Sequence, residues 1–230
     1  MEDTAPDTTA ERRNFYGRIR GKTLRAAQHD YLADLDRWRL PGITRAENPG
    51  RTPVASPFRD RPLWLEVGFG SGEHLVHLAR TNPGVGLIGA EPFVNGIATC
   101  LGKLRALPDA AVRLHPGDVR DLLEVLPPAG LTRVYLNYPD PWPKARHHRR
   151  RFVTPGYLQP LARAMAPGAE LRLATDIADY ARQARDEVPP AGFAVQSDGG
   201  APWNGWISTR YEQKALRGGR VPQYLVFRRQ

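Results

Sequence analysis

The feature that most constrains this chain is an apolar run that stops dead on alternating glycines. Leu63–Val67 is followed by Gly68-Phe69-Gly70-Ser71-Gly72, and an amphipathic stretch resumes at Glu73–Arg80. A buried strand that turns sharply into a helix needs residues free to adopt left-handed backbone, with no Cβ in the way of a ligand. The same alternation continues downstream. Expected strands cover Gly86–Ala90, Val112–His115, Arg133–Asn137, Leu171–Ala174, a weaker Phe193–Val195, and Tyr224–Phe227. Between them lie helical patterns at Val94–Leu107, Val119–Leu126, Gly156–Met165 and Ile177–Glu187. Strands alternating with helices at this spacing specify an α/β domain with a mostly parallel sheet.

Composition narrows the class. The 230 residues are 41% hydrophobic and 25% charged, the balance of a globular protein with a proper core. Lys and Arg number 33 against 24 Asp and Glu, a formal charge of +9 that favours a polyanionic partner. Cys100 is the only cysteine, which excludes an internal disulfide and a multi-cysteine metal site and fits a reducing cytoplasm. No apolar run approaches the ~18 residues of a membrane span, and the polar, acidic start MEDTAPDTTAERR lacks the apolar core of a secretory signal. The expectation is a soluble cytoplasmic protein, monomer or homodimer, with no membrane and no metal.

The first ten residues read as a disordered tail. Arg12–Arg25 then carries six cations and no acid, with Phe15 and Tyr16 embedded, and reads either as a solvated arm or as a phosphate-gripping one. Leu40–Pro62, with five Pro and two Gly, reads as a linker without regular structure.

The glycine turn departs from two familiar phosphate sites. Glu73 stands where a dinucleotide fingerprint wants its third glycine, and no Lys follows as in a Walker loop. Glu66, two residues before Gly68, suits a cationic ligand better than a pyrophosphate, and S-adenosyl-L-methionine carries both an ammonium and a sulfonium. Glu91 ends the second expected strand, 25 residues on, where an acid receives ribose hydroxyls. Asp118 follows the third, placed either to accept from an adenine amino group or to cap the helix at Val119. With three acids on three successive strand ends, the chain looks like a Rossmann-like class I methyltransferase, a likeness that implies a seven-stranded, mostly parallel sheet with helices on both faces.

After the fourth strand comes Tyr138-Pro139-Asp140-Pro141-Trp142-Pro143-Lys144, and then a cationic run to Arg151. Three prolines in five positions preset the loop's shape, so Asp140 and Lys144 sit on a stiff support. With Arg146-His147-His148-Arg149-Arg150-Arg151, this block closely resembles the signature of bacterial tRNA (guanine-N7-)-methyltransferases. So do Glu66–Gly72, Gly89–Glu91, Ala174-Thr175-Asp176 and Thr209-Arg210-Tyr211-Glu212. The resemblance runs from about Asn14 to Arg228 and departs after Glu212, where Arg217-Gly218-Gly219-Arg220 stands in place of a Gly-His-Gly common in relatives.

The resemblance implies methyl transfer from S-adenosyl-L-methionine to N7 of a guanosine in the tRNA variable loop, position 46 in tRNA numbering. It implies cofactor contacts from Glu66, Gly68, Gly70, Gly72, Glu91, Asp118 and Asp140, with Asp140 catalytic. Lys144, Asp176, Thr209, Arg210, Tyr211 and Glu212 would contact the substrate, and Arg146–Arg151 the RNA, His147 and His148 included. It divides the chain into a flexible, basic N-terminal arm and linker (1–60) and a methyltransferase domain (61–230). Candidate base-stacking aromatics are Tyr138, Trp142, Trp203, Trp206 and, first, Tyr211. His74, His77 and Cys100 take structural readings. Without the resemblance, a methyltransferase for another RNA or a small molecule remains an alternative, as does a silent RNA-binding protein.

Overall fold

A computed structural model describes residues 16–230. The acidic tail, Arg12, Arg13 and Phe15 lie outside the described residues.

Seven strands form one sheet in the order β3-β2-β1-β4-β5-β7-β6. They are β1 (Leu63–Val67), β2 (Gly86–Ala90), β3 (Val112–His115), β4 (Leu131–Asn137), β5 (Met165–Thr175), β6 (Phe193–Gly199) and β7 (Gln223–Arg229). The first five run parallel, and β7 inserts antiparallel between β5 and β6. The central β1 and β2 are buried on both faces, as parallel strands covered by crossover helices must be. Leu65, Val67, Ile88, Val134 and Leu136 pack against α5 (Val119–Val125), α6 (Pro155–Ala164) and α7 (Ala178–Glu187). Leu87, Val112, Leu114 and Tyr135 face the other way, toward α3 (Glu73–Thr81) and α4 (Val94–Leu104). Strand order reverses between β1 and β4, and a crevice opens above their carboxyl ends.

Residues ahead of the sheet depart from the expectation of a linker. Helices α1 (Ala26–Leu32) and α2 (Leu35–Trp38) precede it, and Trp38, Leu40, Ile43 and Phe58 are buried in the two cores. Leu40 donates to the carbonyl of Leu114 and Val54 to that of Val125. Arg51 pins the stretch by donating to Glu124 (2.8 Å), Ile43 O (2.6 Å) and Asp121 O. Phe58 fills the space that a side chain at Gly86 would occupy. The prolines remove regular structure without removing burial, because four large apolar side chains still leave water.

A second departure is α8 (Arg210–Arg217), a mostly polar helix where no helix was expected. Thr209 caps it, accepting from Glu212 N at 3.2 Å. The expected strand at Leu171–Ala174 is longer, reaching back to Met165 through a bulge opposite Leu131 and Arg133.

Candidate active site

A cleft of about 620 Å³ lies over the strand ends at the order reversal. Its floor is Val67, Gly68 and Gly70 from the glycine turn, and one wall is Ala90–Phe93 with Gly117–Val119. Facing them are Leu136–Asp140, Trp142, Arg150, Arg210 and Tyr211. Tyr16, Gly17 and Arg18 lie across the mouth.

Gly68, Gly70 and Gly72 all take positive φ (71°, 55° and 75°), which an L side chain adopts only under strain. Only Gly72 is glycine for a second, steric reason. A Cβ at Gly68 would enter open space above the floor, while at Gly72 it would overlap Cys100 Sγ. Cys100 is thus a buried packing residue under the turn, its thiol pushed up by burial. Lys103 grips the same turn, donating to Ser71 O (2.7 Å) and pairing with Glu73 (2.9 Å).

Glu91 ties the turn to the start of α4. Its carboxylate accepts from Gly70 N at 2.8 Å and from Phe93 N at 2.9 Å. Burial lifts its carboxyl above the usual range, and those two amides offset only part of the shift. Each oxygen accepts one of these amides and retains further acceptor capacity, on a residue that lines the cleft. Asp118 reaches the wall too, but its side chain caps α5 through Arg120 N (2.9 Å) and holds the Arg120 guanidinium (2.8 Å). Of the two readings of Asp118, the helix cap is the one seen. Glu66 sits below the floor, buried, beside His74 (3.2 Å).

The loop of Asp140 is held open by its flanks. Tyr138 (φ 49°) and Trp142 (φ 41°) both occupy the left-handed region on either side of Pro139-Asp140-Pro141. Asp140 stands at the rim, and burial alone raises its carboxyl above the usual range. The cationic run after it splits. Lys144, Arg146 and Arg149 are exposed, whereas Arg150 lies between Tyr16 (4.3 Å to the ring centroid) and Trp142 (5.0 Å). His147 packs edge-on against Trp142, and His148 Nε2 lies 3.3 Å from Asp179. Arg151, expected on RNA, is 1% exposed. It donates to Pro141 O (2.8 Å), Asp179 (2.9 Å) and Gln183 (2.9 Å), so its donors are spent holding the Asp140 loop from beneath.

On the substrate side, Arg210 and Tyr211 reach the wall, the guanidinium 5.3 Å from the ring centre. Thr209 and Glu212 do not. Glu212 is buried, accepting from Trp206 Nε1 (3.1 Å) and from the Tyr224 hydroxyl, and it latches α8 to the sheet. Asp176 pairs with Arg220 (2.5 Å) away from the wall, and Lys144 stands outside it. Of the stacking candidates, Tyr138, Trp142 and Tyr211 line the cleft, while Trp203 and Trp206 pack on one another and on Tyr224. Tyr16 and Asn137 were not anticipated there. The arm is fastened by Val94 N to Ile19 O (2.9 Å), Gly21 N to Asn95 Oδ1 (2.8 Å) and Asn95 Nδ2 to Lys22 O (2.7 Å). Among the described residues, no group of three or more His, Cys, Asp or Glu side chains is arranged to hold a metal ion.

Comparison with known proteins decides the family. The family model described as "Putative methyltransferase" matches residues 60–223. Proteins named tRNA (guanine-N(7)-)-methyltransferase from Cereibacter sphaeroides, Paracoccus denitrificans and Ruegeria pomeroyi are 63%, 61% and 58% identical to the chain. The matches cover 95%, 97% and 100% of the chain, and 92%, 97% and 99% of those proteins. The chain belongs to the tRNA (guanine-N(7)-)-methyltransferase family. Solved structures of remote sequence share the α/β architecture of this family member. An antibiotic-related methyltransferase is 15% identical, with a TM-score of 0.55 over 82% of the chain and 98% of its own. TrmN from Thermus thermophilus is 18% identical, with a TM-score of 0.54 over 74% of the chain and 45% of its own.

Proposed function

We propose that the chain methylates N7 of a guanosine in the variable loop of tRNA, position 46 in tRNA numbering, using S-adenosyl-L-methionine. The observation that carries this is a single cleft with acids on its walls and a cationic, aromatic mouth, in a chain 63% identical to a protein named for that chemistry. The cleft and the residues behind it suit the methyl donor. Gly68 leaves open space where a Cβ would stand, Glu91 is held with lone pairs free for ribose hydroxyls, and Glu66 keeps one buried oxygen without a partner. Asp118 offers its remaining lone pair to an adenine amino group.

The donor supplies an electrophilic methyl on a cationic sulfur. Guanine N7 carries a lone pair and no proton, so the chain needs no strong base. As the N–C bond forms and the C–S bond breaks, the electron pair returns to sulfur and positive charge appears on the guanine ring. Catalysis then rests on alignment and on placing negative charge near that ring. Asp140 at the rim, on a loop that Arg151 and three prolines hold rigid, takes this role by accepting from the guanine N1 and amino hydrogens.

The target base reaches the cleft unstacked and lies against Trp142 or Tyr211, whose faces are sequence-tolerant platforms. Arg18, Arg146, Arg149, Arg150, Arg210 and Lys214 hold phosphates around the mouth. Thr209 and Glu212 serve the substrate through α8 rather than by touching it. The test is transfer from methyl-labelled donor to tRNA, followed by nucleoside digestion. Label in 7-methylguanosine supports the proposal; label in another nucleoside, or only in a small molecule, rejects it.

A further inference from the structure

Below the glycine turn, at the carboxyl ends of β1 and β4, three polar side chains meet in a setting almost without water. His74, on the first turn of α3, is 3% exposed, as is Glu66. His74 Nδ1 lies 3.2 Å from Glu66 Oε1, and the Asn137 amide is 3.2 Å from the same nitrogen. Glu66 Oε2 and His74 Nε2 have no partner among the described residues. The other surfaces of the ring are fixed. Tyr135 meets it edge-on at 4.8 Å between centres, and Trp206 lies at 5.7 Å, itself held by Glu212.

The geometry points to His74 as a positioning residue that orients Glu66 for the methyl donor. A bare Nδ1 would set its lone pair against the carboxylate, so the ring carries its hydrogen there and points it at Oε1, and the Asn137 amide turns its otherwise unpartnered oxygen, rather than its NH2, toward the same nitrogen. That bond fixes the carboxylate's rotation and leaves Oε2 as its free acceptor, on the residue just before the cleft-lining Val67 and Gly68. Tyr135 and Trp206 keep the ring from following the carboxylate if it turns. A buried carboxylate with one oxygen satisfied and one open is costly alone and is relieved by a cationic ligand. This inference rests on the reading that Glu66 serves the donor's cationic end.

Two substitutions separate the hydrogen bond from the packing. His74→Phe keeps an aromatic ring against Tyr135 and Trp206 but removes the donor. His74→Asn gives up the ring and places an amide hydrogen near the former Nδ1. Calorimetric titration of the full chain with S-adenosylhomocysteine reads the result, with melting temperatures recorded for each variant. His74→Phe is expected to bind about tenfold more weakly, as for the loss of a charge-assisted hydrogen bond, with His74→Asn within about threefold of wild type. In steady state, KM for the donor should rise in His74→Phe while kcat stays within about threefold. Equal affinity of His74→Phe and wild type overturns the inference, and so does His74→Asn binding no better than His74→Phe. Should His74→Phe fail to fold, His74→Leu replaces it under the same criterion. Glu66→Gln run alongside keeps the two readings apart. If it binds like wild type, the cofactor role of Glu66 fails; if it is weak while His74→Phe is normal, only the role of His74 fails.

Discussion

Glu91 and Asp140 carry the two halves of the proposed chemistry, and both are carboxyls lifted above their usual range by burial. For Glu91 the sign runs against cofactor binding at low pH. The native ligand-free protein holds the Glu91 proton more tightly than the unfolded chain, so this group's contribution to stability is full below the ordinary value of 4.5. It is lost as pH rises through the lifted native value. Ribose recognition uses the ionised form, so S-adenosylhomocysteine affinity should be level near neutrality and fall once pH drops through that lifted value. Calorimetry in buffers of different ionisation enthalpy should show proton release on binding in that window. Glu91→Ala removes an acceptor of two backbone amides and of the ribose, and about 10–100-fold in affinity should go with it. Asp140→Asn should leave affinity for S-adenosylhomocysteine within about threefold while kcat drops about 100-fold or more, as for a lost electrostatic stabiliser. Glu91 was legible in the sequence because its role follows from one strand end and one glycine turn. Arg151 was not, since its partner Asp179 lies 28 residues on and no local pattern marks the pairing.

Among the elements, the glycine turn and α8 show what local pattern does and does not reveal. The turn's positive φ values are a property of the backbone itself, so three alternating glycines after an apolar run were enough to locate it. What each glycine guards becomes visible only in three dimensions, and it separates two substitutions. Gly68→Ala pays for left-handed backbone, about 1–2 kcal/mol, and projects its methyl group into the cleft. Its larger effect should be weaker S-adenosylhomocysteine binding with a modest fall in melting temperature. Gly72→Ala adds overlap with Cys100 and should cost about 3 kcal/mol or more of stability, read by denaturant unfolding. Helix α8 escaped the apolar periodicity because only Glu212 and Ala215 of its eight residues are buried. The available signal was Thr209 followed three positions later by Glu212, the spacing of a capping box. The stretch 40–62 misled in the opposite sense, as proline content speaks to hydrogen bonding and not to whether Leu40, Ile43 and Phe58 are buried.

At the scale of the whole molecule, alternation of strands and helices was sufficient to give the sheet, its parallel sense and the crevice at its order reversal. It did not show that Tyr16, Gly17 and Arg18 line that crevice, because the fastening of Gly21 and Lys22 to Asn95 spans more than seventy residues. The chain carries a formal charge of +9, and the split of the cationic run makes a testable contrast. Arg149→Ala should weaken tRNA binding and reduce the slope of log affinity against log salt by about 1, with unchanged melting temperature. Arg151→Ala should instead lower stability by about 1–3 kcal/mol, as it removes a buried side chain and its hydrogen bonds to Pro141 O and Asp179 under the Asp140 loop. The account as a whole claims that donor and acceptor share one cleft between the glycine turn and Asp140. A crystal structure of the chain with S-adenosylhomocysteine tests that most directly. The expected result has both ribose hydroxyls on Glu91 and the sulfur facing Asp140; a ligand seated elsewhere, or with its ribose away from Glu91, would contradict it.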